Sequence, residues 1–107
     1  MSDLTFKAES PDARLTIVRF SGLFEGMAAF DAEPKLMELL KKTTSPLLWF
    51  DFSEINYIDS SAIGVLINIT KAAVAQKIQF SIYKPNDNVK KVLNVTHVDR
   101  LIPVVEG

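Results

Sequence analysis

Apolar and polar positions alternate in the first part of the chain, as they do in half-buried β-strands. The alternation covers residues 4–8 and again 15–20, which predicts two short strands. The segment 10–13, Ser-Pro-Asp-Ala, is a turn signal between them, and Gly22 is predicted to end the second strand. We therefore expect the two strands to pair as a hairpin, with the first at the edge of a sheet.

A loop and a helix are predicted next. Residues 23–32 are interpreted as a loop, and the regular helix is expected to begin near Asp31. This start places Pro34 in the first turn, where proline is tolerated, rather than in the interior, where it is costly. Leucines at helical spacing over residues 36–40 form the apolar face, and the segment 43–46 closes the helix.

The remaining pattern predicts alternating strands and helices. Residues 47–52 are apolar at consecutive positions apart from Asp51, which is typical of a central strand buried on both faces. The later elements are a helix over 60–76, a strand over 78–82, a helix from 85–88 onward and an edge strand over 101–105. The order β-β-α-β-α-β-α-β predicts one α/β domain over residues 1–107, a mixed and mostly parallel sheet with covering helices and right-handed crossovers.

The helix over 60–76 is apolar around about twice the arc that packing against one sheet requires. One interpretation is a helix wedged between the sheet and neighbouring helices. The other is that residues at the edges of the arc, Val65, Ile67 and Ala72, contribute to a partner surface. The sequence favours the first interpretation but leaves both open.

Composition excludes several functional classes. The chain has 107 residues, 48% of them hydrophobic and 23% charged, with a net charge of −1 and no cysteine. These values indicate a globular protein without disulfides, and the absence of a basic patch argues against nucleic-acid binding. We find no signal peptide at Met1–Leu4 and no apolar run long enough to span a membrane, and we expect a cytoplasmic protein that needs no cofactor.

The candidate chemistry lies at Asp59-Ser60-Ser61, where a strand gives way to the long apolar helix. A hydroxyl at a helix N-terminus can cap the helix, and the same place favours a phosphate. Nucleophilic catalysis by Ser60 is the weaker alternative, because the only histidine, His97, is distant in sequence and no nucleophile elbow is present. A lone histidine without cysteine or paired ligands also argues against a metal site. We therefore expect no catalytic residue and no bound metal.

The residues around this segment resemble those of STAS domains, and among them the stand-alone anti-sigma factor antagonists. The likeness includes the buried strand that leads into Asp59-Ser60-Ser61-Ala62-Ile63-Gly64, and the C-terminal stretches 84–96 and 101–104. It covers essentially the whole chain. The resemblance implies the STAS fold and a binding protein that sequesters an anti-sigma factor, which is also an ATP-dependent serine kinase. The kinase phosphorylates the antagonist to end the binding, and a phosphatase reverses the modification.

Carried over to this chain, the resemblance makes Ser60 the phosphorylated residue, with Ser61 a less favoured second. Asp59, Ser61 and Ala62 are expected to contact the partner at the start of the helix. Glu25 stands where the family has an aspartate beside the phosphosite, and Phe24 and Met27 are expected to add apolar contacts from the loop.

Four positions depart from the family pattern. Ala62 replaces a glycine and adds a methyl group near Ser60, which we expect to alter the approach of the kinase, and Glu25 is one methylene longer than aspartate. His97 stands where glycine is common, and a helix-terminating role with φ > 0 explains it better than catalysis. Pro34 falls inside the family's first helix. The main alternative function is a constitutive subunit of a stressosome-like or transporter complex, with Ser60 serving only as a cap.

Overall fold

The computed structural model describes residues 4–106. Met1, Ser2 and Asp3, on which the expectation about a signal peptide partly rests, lie outside the described residues, as does Gly107. The strands are β1 (Thr5–Asp12), β2 (Leu15–Phe24), β3 (Leu47–Ile58), β4 (Gln79–Tyr83) and β5 (Val104–Val105). The α-helices are α1 (Gly26–Lys42), α2 (Ser60–Ala75) and α3 (Asp87–Val95), and a short 3-10 helix (Val98–Arg100) follows α3.

The sheet confirms the predicted fold class. Its strand order is β1-β2-β3-β4-β5, in which β1 and β2 are antiparallel and the other neighbours are parallel. The hairpin forms as predicted, but its turn is at Ala13 and Arg14, because β1 runs through Pro11 to Asp12. The pairing shifts register between Glu9 and Asp12. Proline is tolerated there because β1 is an edge strand with one unpaired side.

The helices pack on one face of the sheet around a single core. Strands that follow one another in order through right-handed crossovers place their connecting helices on the same side. Phenylalanines dominate the inner face, and Phe20 lies 4.9 Å from Phe50 and 5.3 Å from Phe52 between ring centroids. The buried residues of α1, α2 and α3 belong to the same cluster. This core fixes the carboxyl ends of the parallel strands, where the candidate site is found.

The opposite face of the sheet carries no helix, which modifies one expectation. On β3, Trp49 is only half-buried and stacks on Tyr83 of β4 with ring centroids 4.9 Å apart. On the same face, Arg19 forms hydrogen bonds with both Glu9 and the buried Asp51. The central position predicted for β3 is confirmed, but the strand is not fully buried on both faces, because side chains of its neighbours rather than helices cover the outer one.

The boundaries at residues 22–32 differ most from the prediction. The second strand continues past Gly22 to Phe24, and α1 begins at Gly26 rather than near Asp31, so the expected loop is absent. Pro34 lies inside α1. The helix tolerates it because Ala29, Ala32 and Leu36 are buried against the core on both sides of the proline. Burial of this face outweighs the one backbone hydrogen bond that proline cannot donate.

The backbone of His97 has the conformation predicted for it. Its φ is 62° and its ψ is 15°, in the left-handed region directly after α3. His97 is exposed, and its N–H donates to the carbonyl of Asn94 at 3.0 Å. This geometry is typical of a residue that ends a helix and gives His97 a structural role.

Replacing His97 by glycine should therefore stabilise the protein. A left-handed conformation costs a non-glycine residue about 1 kcal/mol, and glycine avoids most of this cost. We expect the free energy of unfolding to rise by roughly 0.5–1 kcal/mol, measured by urea denaturation. The matched control is His97→Ala, which removes the same imidazole but keeps the Cβ, and it should give no gain. An equal gain from both substitutions would mean that the imidazole, not the backbone, is the source of strain.

Candidate functional site

The candidate site lies where the carboxyl end of β3 meets the N-termini of α1 and α2. Asp59 joins the three elements. Its Oδ1 accepts a hydrogen bond from the N–H of Ala62 at 3.0 Å, and its Oδ2 accepts one from the N–H of Gly26 at 2.9 Å. One carboxylate therefore satisfies a backbone donor at the start of each helix. It also lies near the positive ends of two helix dipoles, where a negative charge is stabilised.

Asp59, rather than Ser60, is the N-cap of α2, which corrects the interpretation of Ser60 as a helix cap. Ser60 is the first residue of the helix, and its side chain is exposed. Aspartate is among the best N-cap residues because its short carboxylate reaches the N–H three residues later. With this task already performed by Asp59, the hydroxyl of Ser60 is left facing solvent beside two helix N-termini.

The helices α1 and α2 run parallel and start at the same level. Besides the bond from Gly26 to Asp59, the amide of Asn68 donates to the carboxylate of Glu33 at 3.3 Å. Near the helix C-termini, Gln76 donates from its side chain to the carbonyl of Leu40 at 3.0 Å. These three contacts follow the two helices from beginning to end. Because the two helices are joined along their whole length, the N-terminus of α1 lies next to Ser60.

The conformation of Gly26 allows this contact. Its φ is +54°, a value that residues with a side chain rarely adopt, and its N–H is the one bonded to Asp59. Glu25, the N-cap residue of α1, is half-buried and makes no capping hydrogen bond with its side chain. Glu25 therefore lies next to Gly26 at the edge of the site, and Asp59, not Glu25, accepts the hydrogen bond from the first N–H of α1.

Two of the residues expected at the partner surface are buried. Phe24 and Ala62 each have 0% exposure, because Phe24 stacks on Phe20 in the core and Ala62 is on the inner face of α2. Their side chains cannot contact a partner in this structure. The methyl group of Ala62 is therefore not on the surface that a kinase would approach. This burial corrects the expectation that Ala62 alters the approach of the kinase.

The structure exposes other apolar residues near Ser60. Met27 is 71% exposed, and Phe30, which sequence analysis placed in a loop, is 56% exposed on the following turn of α1. Leu23 and Tyr57 are also exposed and lie close to the ends of β2 and β3. We call these four residues, Leu23, Met27, Phe30 and Tyr57, the apolar patch. Helical periodicity continued back through residues 23–32 would have identified Phe30 as a helix residue. Tyr57 follows no two-residue alternation, since Ile55 and Ile58 on either side of it are both buried.

The faces of α2 agree with the helical pattern. Ser60, Gly64, Asn68 and Lys71 are exposed, and the sequence placed them on one narrow arc. Val65 is buried, and Ile67 and Ala72 are half-buried. The helix is therefore wedged between the sheet and α1, as the favoured interpretation predicted, and Val65 is not available to a partner.

The described residues offer limited means for other chemistry. Among residues 4–106, no group of three or more histidine, aspartate or glutamate side chains is placed to hold a metal ion. None of the helices in this part of the chain combines the length and the hydrophobicity needed to cross a membrane. His97 lies after α3, where its backbone bonds to Asn94 and Arg100, and among residues 4–106 no hydrogen bond joins it to Ser60 as a base to a nucleophile.

Comparisons with known proteins agree with the fold. The family model described as the STAS domain matches residues 7–106. A Thermotoga neapolitana protein assigned as an anti-sigma factor antagonist homolog is 32% identical over 69 residues, which are 64% of this chain and 60% of that relative's own length.

Two solved structures have the same fold. The crystal structure of an assigned anti-sigma factor antagonist from Thermotoga maritima has a TM-score of 0.85 at 23% identity, and the match covers 95% of this chain and 86% of the other. The unphosphorylated form of the anti-sigma factor antagonist SpoIIAA has a TM-score of 0.78 at 16% identity, with 95% and 89% covered.

Proposed function

Because this chain belongs to the STAS domain family, we propose that it is an anti-sigma factor antagonist whose binding is switched by phosphorylation of Ser60. In its unmodified form it sequesters an anti-sigma factor that is also a serine kinase. That kinase uses ATP to phosphorylate Ser60, which ends the binding, and a phosphatase restores it. The protein itself is not an enzyme in this scheme.

The observation that carries the proposal is the exposed hydroxyl of Ser60 beside Asp59. The carboxylate of Asp59 accepts both cap hydrogen bonds, so Ser60 can be modified without loss of either. A phosphate brings a charge of about −1.5 to −2, which the N-termini of α1 and α2 help to stabilise. We therefore expect the fold to be retained after modification.

The same phosphate would disrupt a partner that covers the helix end. The apolar patch lies at the same end of the fold as Ser60, and its side chains gain free energy when a partner removes them from water. A phosphate adds a strongly hydrated charge at this end, beside the existing charge of Asp59. Burial of the patch would then require desolvation of the phosphate, which is costly without a dedicated cation. Phosphorylation of Ser60 therefore weakens binding directly at the proposed interface.

The proposal is tested by phosphate transfer. The purified protein is mixed with ATP and with each candidate anti-sigma factor kinase from the same genome, and the modified residue is located by mass spectrometry. We expect phosphate at Ser60 in the unmodified sequence and none in Ser60→Ala. The control Ser61→Ala should still accept phosphate. Transfer to Ser61 alone, or to neither serine by any kinase, would contradict the proposed switch and favour a constitutive STAS subunit.

The apolar patch provides a separate prediction about the contact surface. Met27→Ser and Phe30→Ser should each weaken binding to the anti-sigma factor about ten- to 100-fold, because burial of one such side chain contributes roughly 1.5–3 kcal/mol. Both side chains are exposed, so the stability of the free protein should change little. Binding can be measured by titration calorimetry.

The control for this prediction is Val74→Ser. Val74 is as exposed as Met27, at 70%, but lies near the other end of α2. Its substitution removes a similar apolar surface at a distance from Ser60 and should leave the affinity unchanged. An equal loss from all three variants would indicate a general effect of surface hydrophobicity and would remove the patch from the proposed interface.

A further inference from the structure

The end of the molecule that carries Ser60 is acidic as well as apolar. Residues 20–34 and 52–70, which form this end, contain no lysine or arginine. They contain five carboxylates, at Glu25, Asp31, Glu33, Glu54 and Asp59. The lysine at the same edge of the sheet is Lys84, whose ammonium group lies 5.3 Å from the centre of the Tyr83 ring. The surroundings of Ser60 therefore have a negative potential before any modification.

These carboxylates are interleaved with the apolar patch and are not neutralised by ion pairs. Asp31 is exposed on α1 next to Phe30 and one turn after Met27, so the three share a face of the helix. Glu54 is exposed on β3, three residues before Tyr57. Among residues 4–106, the carboxylates in ion pairs are those of Glu9, Glu38, Asp51 and Glu106, all outside this end.

The other end of the molecule has the opposite charge. Arg14 is in the turn between β1 and β2, Lys41 and Lys42 end α1, and Lys77 follows α2. A hydrogen bond from the N–H of Leu47 to the carbonyl of Arg14, 3.1 Å long, shows that the hairpin turn lies beside the start of β3. Carboxylates are thus concentrated around Ser60, while these four cations lie around the hairpin turn and the helix C-termini.

We infer that the partner docks on the apolar patch through a basic protein surface with an apolar centre, and that charge attraction sets the rate of association. The inference rests on the proposed function and adds the chemistry of the partner to it. Complementary charges around an interface guide the encounter of two proteins more than they hold the final complex. The apolar contacts of Met27 and Phe30 then determine how long the complex lasts.

Phosphorylation of Ser60 is expected to change the dissociation rate constant rather than to slow association. A phosphate at Ser60 makes the acidic end more negative, so a basic partner is still attracted to it. The complex is lost because the hydrated charge prevents close packing of the apolar patch. Phosphorylation, or its mimic Ser60→Glu, therefore raises the dissociation rate constant and leaves the association rate constant equal or higher.

The test measures both rate constants by biolayer interferometry, with the anti-sigma factor kinase that modifies Ser60 as the probe. For the unmodified protein, the association rate constant should fall about tenfold between about 50 mM and 500 mM salt, since added salt screens charges over shorter distances. Asp31→Lys should lower the same constant about three- to tenfold at low salt and have no effect at high salt. Ser60→Glu should raise the dissociation rate constant and leave the association rate constant equal or higher.

Glu38→Lys is the matched control. Glu38 lies on the same face of α1 and its substitution changes the net charge by the same amount, but it is about 10 Å farther along the helix axis than Asp31. This variant should change the association rate constant less than twofold. A salt-independent rate constant, or equal effects of Asp31→Lys and Glu38→Lys, would overturn the inference while leaving the proposed function intact. Absence of binding by the unmodified protein would instead contradict the proposed function itself.

Discussion

Replacing Ser60 by glutamate is expected to weaken binding to the anti-sigma factor about 100-fold or more. The exposed hydroxyl becomes a carboxylate at the end of the fold that carries the apolar patch, directly after the carboxylate of Asp59. A charge left without a partner in a buried interface costs roughly 3 kcal/mol or more, and each 1.4 kcal/mol is about a factor of ten in the dissociation constant. Titration calorimetry with the purified partner measures this effect directly.

The matched control for this substitution is Ser60→Gln. Glutamine has nearly the same size and shape as glutamate but carries no charge, so it separates electrostatic from steric disruption. We expect Ser60→Gln and Ser60→Ala to bind within a few-fold of the unmodified protein. If Ser60→Gln fails as completely as Ser60→Glu, the interface excludes any larger side chain and charge is not the switch. If all three variants bind equally well, the constitutive subunit becomes the better description.

The second large effect is expected at Asp59. Asp59→Ala removes the cap of α2 and the hydrogen bond that holds the N-terminus of α1. An N-cap contributes about 1 kcal/mol, and a second backbone donor loses its partner as well, so the free energy of unfolding should fall by roughly 2 kcal/mol. Urea denaturation of the purified variant provides the measurement.

Two further variants separate the roles of this carboxylate. Asp59→Asn can still accept from the N–H of Ala62, but its amide nitrogen would face the N–H of Gly26, so about half of the loss is expected. Glu25→Ala should leave stability within about 0.5 kcal/mol, because the side chain of Glu25 makes no capping bond. A loss for Glu25→Ala as large as for Asp59→Ala would show that Asp59 is not the residue that joins the two helices.

Asp59 and Ser60 have separate roles at this site. Asp59 supports the structure on which Ser60 is presented, and Ser60 contributes nothing to the caps. Loss of Asp59 should therefore lower stability and also allow the N-terminus of α1, which carries Met27 and Phe30, to separate from α2. The site depends on a carboxylate for its shape and on a hydroxyl for its modification, two tasks that adjacent residues perform independently.

Much of the fold was predictable because it depends on local patterns. The consecutive apolar residues of β3, the helical arc of α2 and the alternation in β4 each predicted the correct element. The predicted boundaries of β2 and α1 were wrong, because local residue preferences there disagree with tertiary packing. Gly22 and Pro34 usually interrupt regular structure, yet β2 continues through the first and α1 through the second. The sheet pairing and the buried face of α1 outweigh both preferences.

The sequence by itself determined the class of the fold, the position of Asp59-Ser60-Ser61 at the start of a helix, and the family, because these depend on spacing along one chain. Only the tertiary structure decided which residues share the site. Gly26 is bonded to Asp59 although 33 positions separate them, and Phe24 is buried while Met27 and Phe30 are exposed. Such contacts depend on how α1 packs beside α2. The side of a helix that faces solvent is decided only when the neighbouring elements are packed against it.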